Sequence, residues 1–205
     1  MIFSYKEFGL KSNNLYEILA TTYKFSKESM KLIPNTASMG IRITQKGIVE
    51  IYPYPTTVTF ENLKNTGLVM INFVDNIYLY ALSALKQKEF DLNIQFPEDE
   101  YASLELENSL SLKNGLSISN LSYLKDAWGF LICKSIKEEK KVKKSNLGNK
   151  KLIKFILEVI NSHKLKESYK LFNRAENLTL ELIIIATRVK AALQEKKMEK
   201  LVEYK

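Results

Sequence analysis

Between residues 35 and 76 the chain concentrates small hydroxyl and amide side chains around short apolar runs. The order is Asn35-Thr36-Ala37-Ser38-Met39-Gly40, then Thr56-Thr57-Val58-Thr59-Phe60-Glu61-Asn62, then Asn72 inside an apolar stretch. Such groups hydrogen-bond phosphate and sugar oxygens, but they equally cap turns and strand ends by binding nearby backbone. Capping accounts for any one of them. Taken together, Ser38, Thr56, Thr57, Thr59 and Asn62 could converge on one oxygen-rich ligand. A short helix starting near Thr57 or Thr59 would add free N–H groups at its N-terminus, a ready place for a phosphate.

The remaining reactive residue types exclude more than they propose. His163 is the single histidine and Cys133 the single cysteine, and no CxxC or HExxH spacing exists. A histidine-based metal site is therefore excluded. A Cys133–His163 dyad needs their strands to pair, and a structural thiol beside a surface imidazole is the simpler expectation. None of the seven glycines falls into GxGxxG or GxxxxGK, which argues against a Rossmann site or a P-loop. Asp99 with Glu100 and Glu105 with Glu107 read as surface charge. One cysteine rules out an intrachain disulfide and fits a reducing cytoplasm.

The net charge of +8 and pI near 9.3 raise the question of polyanion binding. The excess gathers at Lys137–Lys151 and at the tail from Lys190 to Lys205. Neither is interleaved with stacking aromatics as single-strand binders are. A solvated hairpin tip and exposed helix pairs are preferred, and a nucleic-acid module is the second reading. No signal peptide is expected, because Lys6 and Glu7 interrupt the N-terminal segment. No apolar run approaches the roughly 20 residues of a membrane helix.

The elements that must position these groups follow from periodicity. Tyr16–Thr22 reads as a first strand with Leu15, Ile18 and Leu19 available to the core. Ile41 and Ile43, then Val49 and Ile51, alternate with polar residues as half-buried strands do. Pro53 and Pro55 rule out a regular central strand around Tyr54. Leu68–Val74 is continuously apolar and predicts a strand covered on both faces. Asp75 is the expected cap of a helix over Ile77–Lys88. Lys86–Tyr123 predicts short irregular strands or turns over one barrel end. Ala127–Ile136 predicts a strand with Trp128, Phe130 and Ile132 on one face. Leu152–Ile160 suits helix or strand. Leu178, Leu182, Ile185, Val189 and Ala192 form a helical stripe so apolar that burial on more than one side is expected, in a helical cluster or a subunit interface.

In their order, several of these motifs resemble a family. Glu17 with Ala20-Thr21-Thr22, Asn35 to Gly40, Thr57 to Leu63 and Asn72-Phe73-Val74-Asp75 are similar to archaeal and bacterial proteins of unknown function whose barrel is an FMN-binding split β-barrel, relatives of the flavin reductase-like proteins. Asn173-Arg174-Ala175 and Ala186-Thr187-Arg188 are similar to that family's helical tail. The resemblance implies an α+β fold, with a mostly antiparallel split barrel over residues 1–165 and a helical region over 166–205. It tips Leu152–Ile160 toward a hairpin with the Trp128 strand.

The same resemblance implies FMN as cofactor and a homodimer with the flavin at the interface. It places Asn35, Thr36, Ala37, Ser38 and Met39 along the isoalloxazine edge, and Thr57, Thr59 and Asn62 on phosphate or ribityl oxygens. Asn72 would line the far side, with Arg42 and Arg174 as charged phosphate partners. The chain departs from the pattern at Val58, where a basic residue is common, and Glu61 nearby is acidic. Loss of one charge-assisted contact weakens binding by about 1.5–3 kcal/mol. The implied activity is that of a cytoplasmic flavin-dependent oxidoreductase using NAD(P)H. A non-catalytic assembly protein with a vestigial flavin site is the third reading.

Overall fold

The computed structural model describes residues 4–86, 96–143, 150–167 and 174–194. Six strands close an antiparallel barrel in the order β1-β2-β3-β8-β7-β4. They are β1 (Leu15–Ser26), β2 (Lys31–Ile43), β3 (Val49–Ile51), β4 (Leu68–Phe73), β7 (Gly129–Lys143) and β8 (Lys150–Lys164). A separate two-stranded sheet joins β5 (Tyr101–Ser111) to β6 (Ser117–Leu124). Among the described residues there are three α-helices: α1 (Val58–Thr66), α2 (Ile77–Leu85) and α3 (Arg174–Gln194). The architecture is the α+β split barrel with a C-terminal helical region that the family resemblance implied.

Period-two alternation explains how each wall strand serves two cores. Ile18 and Ala20 of β1, Val69 and Ile71 of β4, and Leu131 and Cys133 of β7 fill the barrel interior. Their neighbours face outward. Tyr23, Leu68, Met70, Phe130 and Ile132 pack under the β5–β6 sheet, while Leu19 packs with α2 and with Ile183 of α3. All six residues of β4 are buried, as expected of a strand covered on both sides. Gly67 ends α1 at φ +69°, and a Cβ there would lie 2.8 Å from Lys113 Cγ, so glycine alone fits that turn.

Several expectations need correction. Leu15 is 63% exposed rather than core: it opens β1 on the outward face, where α2 and Ile183 cover Leu19 instead. Asn76, not Asp75, caps α2, its side chain accepting from Tyr78 N at 3.1 Å. Trp128 precedes β7 and stacks on Phe73 at 5.0 Å inside the barrel, away from Phe130 and Ile132. The β5 and β6 strands are longer and more regular than the turn-rich sequence implied. Lys137–Lys143 continues β7 instead of forming a turn, and β8 pairs along its length; the tip at 144–149 lies outside the described residues. Leu180 and Ile183 turn α3 toward α2, so Leu178 and Leu182 stay 54% and 64% exposed within one chain. The side chain of Ala192 lies outside the described residues. Among the described residues, no helix is long and apolar enough to cross a membrane.

Candidate functional site

The wall built by β1 and β2 carries most of the singled-out groups. β2 pairs with β1 from Lys31 to Arg42, but with β3 only at Ile41–Ile43. From Lys31 to Gly40 its second edge therefore has no strand neighbour among the described residues, and this is where the barrel is split. Alternation then divides the motif. Met39 packs toward the interior together with Ile41, which puts Asn35 and Ala37 on the same side. Thr36, Ser38 and Arg42 fall on the outer side. These residues thus serve both faces of one strand rather than a single cleft.

Two hydrogen-bonded chains cross the wall. On the outer side, Asn72 Nδ2 donates to Leu19 O at 3.0 Å and Thr21 Oγ1 at 3.1 Å, while its Oδ1 accepts from Leu124 N at 3.0 Å. Thr21 Oγ1 lies 2.7 Å from Thr36 Oγ1, which lies 2.7 Å from the Tyr101 hydroxyl. Burial pushes Tyr101 up to about 12. On the inner side, Asn62 Nδ2 donates to Thr22 Oγ1 at 3.1 Å, and Thr22 donates to Asn35 O at 3.4 Å. The two chains meet at Lys86. Its Nζ donates to Asn35 Oδ1 at 2.7 Å and to Thr36 O. Burial alone lowers this lysine to about 8, and no carboxylate among the described residues bonds to it.

The α1 helix stands beside this wall. Thr57 caps it, accepting from Phe60 N at 3.3 Å and donating to Tyr54 O at 2.7 Å. The N–H groups of Val58 and Thr59 lie in the first turn, where the helix offers them no acceptor. Thr59 is buried and Val58 exposed. Arg42 is exposed on the barrel's outer surface opposite Glu50, next to Tyr52, remote in register from Asn35. Arg174 opens α3, and its side chain lies outside the described residues. A further cavity of about 170 Å³ lies between barrel and helices, lined by Glu17, Asp75, Tyr80, Asn177 and apolar neighbours. Burial, then the charge of Glu181, raises the Glu17 carboxyl above its ordinary value.

Other reactive groups resolve simply. Cys133 pairs in register with Val159 and His163 with Phe130. The thiol is sealed in the core and burial pushes it up, while the imidazole packs 4.9 Å from the Phe130 ring. No dyad forms. Along β7, Glu139 pairs with Lys137 and Lys154, and Glu138 with Lys113, so part of the basic run is neutralised. Sequence reasoning missed Lys86 and Tyr101. Lys86 carried one signal: it is a cation ending an otherwise apolar helix.

A family model described as the N-terminal domain of a protein of unknown function (DUF447) matches residues 16–166. The chain belongs to the DUF447 family. Among solved structures, this DUF447 chain is similar to an FMN-bound protein of the same family from Methanosarcina mazei. The TM-score is 0.65 at 20% identity, covering 98% of this chain and 88% of that one. Weaker likenesses add nothing to the fold. A flavin reductase domain protein of Arthrobacter gives a TM-score of 0.47 at 15% identity, covering 76% and 80%. Flavoredoxin of Desulfovibrio vulgaris gives 0.48 at 15%, covering 72% and 68%. No curated protein matches the DUF447 chain.

Proposed function

We propose that this DUF447 protein binds FMN at the split edge of β2 and acts as a flavin-dependent oxidoreductase. Reduced nicotinamide is the proposed electron donor, and the flavin site is completed in a homodimer. One observation carries the reading: the chain shares family and fold with an FMN-bound protein along nearly its whole length. The chemistry of the donor set fits a phosphorylated flavin. Among the described residues only neutral oxygens touch the Lys86 ammonium, and the N-terminus of α1 adds N–H groups suited to anionic oxygen. The open backbone edge of Asn35–Met39 would lie along the ring, with Thr57, Thr59 and the helix N–H groups toward the phosphate. Bound FMN supplies the two-electron chemistry, and the protein supplies orientation and electrostatics.

The exposed stripe of Leu178, Leu182 and Leu193 on α3 supports the dimer, because an apolar face of this length is costly to leave in water. Titration of the purified protein with FMN, followed by flavin fluorescence, tests the cofactor. Micromolar or tighter binding is expected, and no quenching at hundreds of micromolar would remove the reading. Oxidation of NADH or NADPH by the FMN-loaded protein then separates an enzyme from a flavin carrier. Sedimentation equilibrium tests the dimer, with twice the chain mass expected.

A further inference from the structure

We infer that Lys86 is the cation that neutralises negative charge on the bound flavin at the open edge of β2. This rests on the FMN reading and deepens it by naming the charge that the Thr57–Asn62 motif lacks. At Val58 the chain has no basic side chain, and Glu61 adds a negative charge to the first turn of α1. Lys86 reaches the same wall from the other side, off the end of α2.

The contrast with Lys154 separates this lysine from ordinary structural ones. Lys154 is 8% exposed, and it lies between two carboxylates, 3.0 Å from Glu50 and 2.9 Å from Glu139. Lys86 is half-buried, yet among the described residues it touches an amide oxygen and a backbone carbonyl only. Withdrawing an ammonium from water is unfavourable unless an opposite charge or a full set of hydrogen bonds offsets it. Lysine has three donors, and two are used here, leaving one for a ligand. Complementing the dipole of α2 does not account for the geometry, because the side chain bonds to β2. The titratable group bonded next to it is the Tyr101 phenol, through Thr36, and it is neutral at physiological pH.

Two parts of FMN carry the required charge: the phosphate monoester, and the N1–C2=O edge of the ring once reduced and deprotonated. The test compares the full-length wild type with Lys86→Met, Lys86→Gln and Lys86→Arg. Affinities for FMN and riboflavin are measured by fluorescence, and the midpoint potential of bound FMN by dithionite titration against a reference dye. Lys86→Met and Lys86→Gln should each bind FMN at least tenfold more weakly or lose at least tenfold in preference for reduced over oxidised flavin. The second effect is about 30 mV for two electrons. A collapse of the FMN-to-riboflavin affinity ratio assigns the phosphate; an unchanged ratio with a lowered potential assigns the ring. Lys86→Arg should keep most of either effect. Wild-type binding of FMN with affinity, ratio and potential unchanged in both neutral variants would overturn the inference while leaving the FMN reading intact. A wild type that ignores both flavins would end both.

Discussion

Asn72 sits in the barrel wall and Lys86 bonds to that wall from the end of α2, and the two polar sites are built on opposite terms. Around Asn72 every hydrogen-bonding group has its partner inside the protein, through Leu19, Thr21, Met70 and Leu124. Around Lys86 the hydrogen bonds exist, but among the described residues no carboxylate answers the charge. A satisfied buried amide locks β4 to β1 and to the end of β6, which is work for the fold. A half-buried cation whose bonded partners among the described residues are all neutral does no comparable work for the fold, and we assign it to a ligand. The difference teaches that polarity alone does not mark a binding site in this wall; on the proposed reading, uncompensated charge does.

The largest expected effect tests the Asn72 half. Asn72→Leu keeps the volume but strands Leu124 N–H and the acceptors on β1 and β4. Stability should fall by roughly 2–4 kcal/mol, read from the urea midpoint. FMN affinity of the folded variant should stay within twofold of wild type. A large loss of affinity with unchanged stability would break the comparison.

The Lys86 half predicts the opposite sign. Lys86→Met should stabilise the ligand-free protein by roughly 1–3 kcal/mol at pH 7, since about 1.4 kcal/mol attaches to each unit by which burial lowers the group. The pH dependence sharpens this. The folded value near 8 lies below the ordinary 10.5, so between those limits the unfolded chain holds more protons. Ligand-free stability should therefore gain a rising contribution from about pH 8 to 10.5, absent in Lys86→Met. FMN affinity should move the other way, falling as pH rises through 8 in wild type alone. Urea titrations across that range, with and without FMN, read both arms.

The fold was largely legible because its signals are local. Alternation at Ile41–Ile43 and Val49–Ile51, the uninterrupted run of β4 and the Thr57 cap each appear within a few residues. What could not be read depends on pairing at a distance. The β5–β6 sheet hides behind Glu107-Asn108-Ser109, where its register shifts between Glu105 and Leu110 and local alternation breaks. The division of Asn35 to Arg42 between two faces follows from a β2 longer than its apolar core, carried through Pro34. Lys86 was invisible for a stronger reason. Its meaning comes from Asn35 and Thr36, about fifty residues away, and from the lack of any carboxylate among its bonded partners.

The smallest predicted effect concerns Thr57, which belongs by geometry with Asn72 and by expectation with the ligand. Its hydroxyl already gives its proton to Tyr54 O and accepts from Phe60 N, so both roles of a cap are filled. Removing it in Thr57→Ala should cost about 1 kcal/mol of stability, the usual value for a lost N-cap. If Thr57 only holds α1 in place, Thr57→Ser should restore stability and leave FMN affinity at the wild-type level in both variants. If the hydroxyl also meets the phosphate, Thr57→Ala should weaken FMN severalfold while riboflavin binding is unchanged, and Thr57→Ser should recover it. The ratio of the two affinities separates these outcomes, because loss of the cap acts on both flavins alike. A selective loss for FMN would move Thr57 to the Lys86 side of the divide.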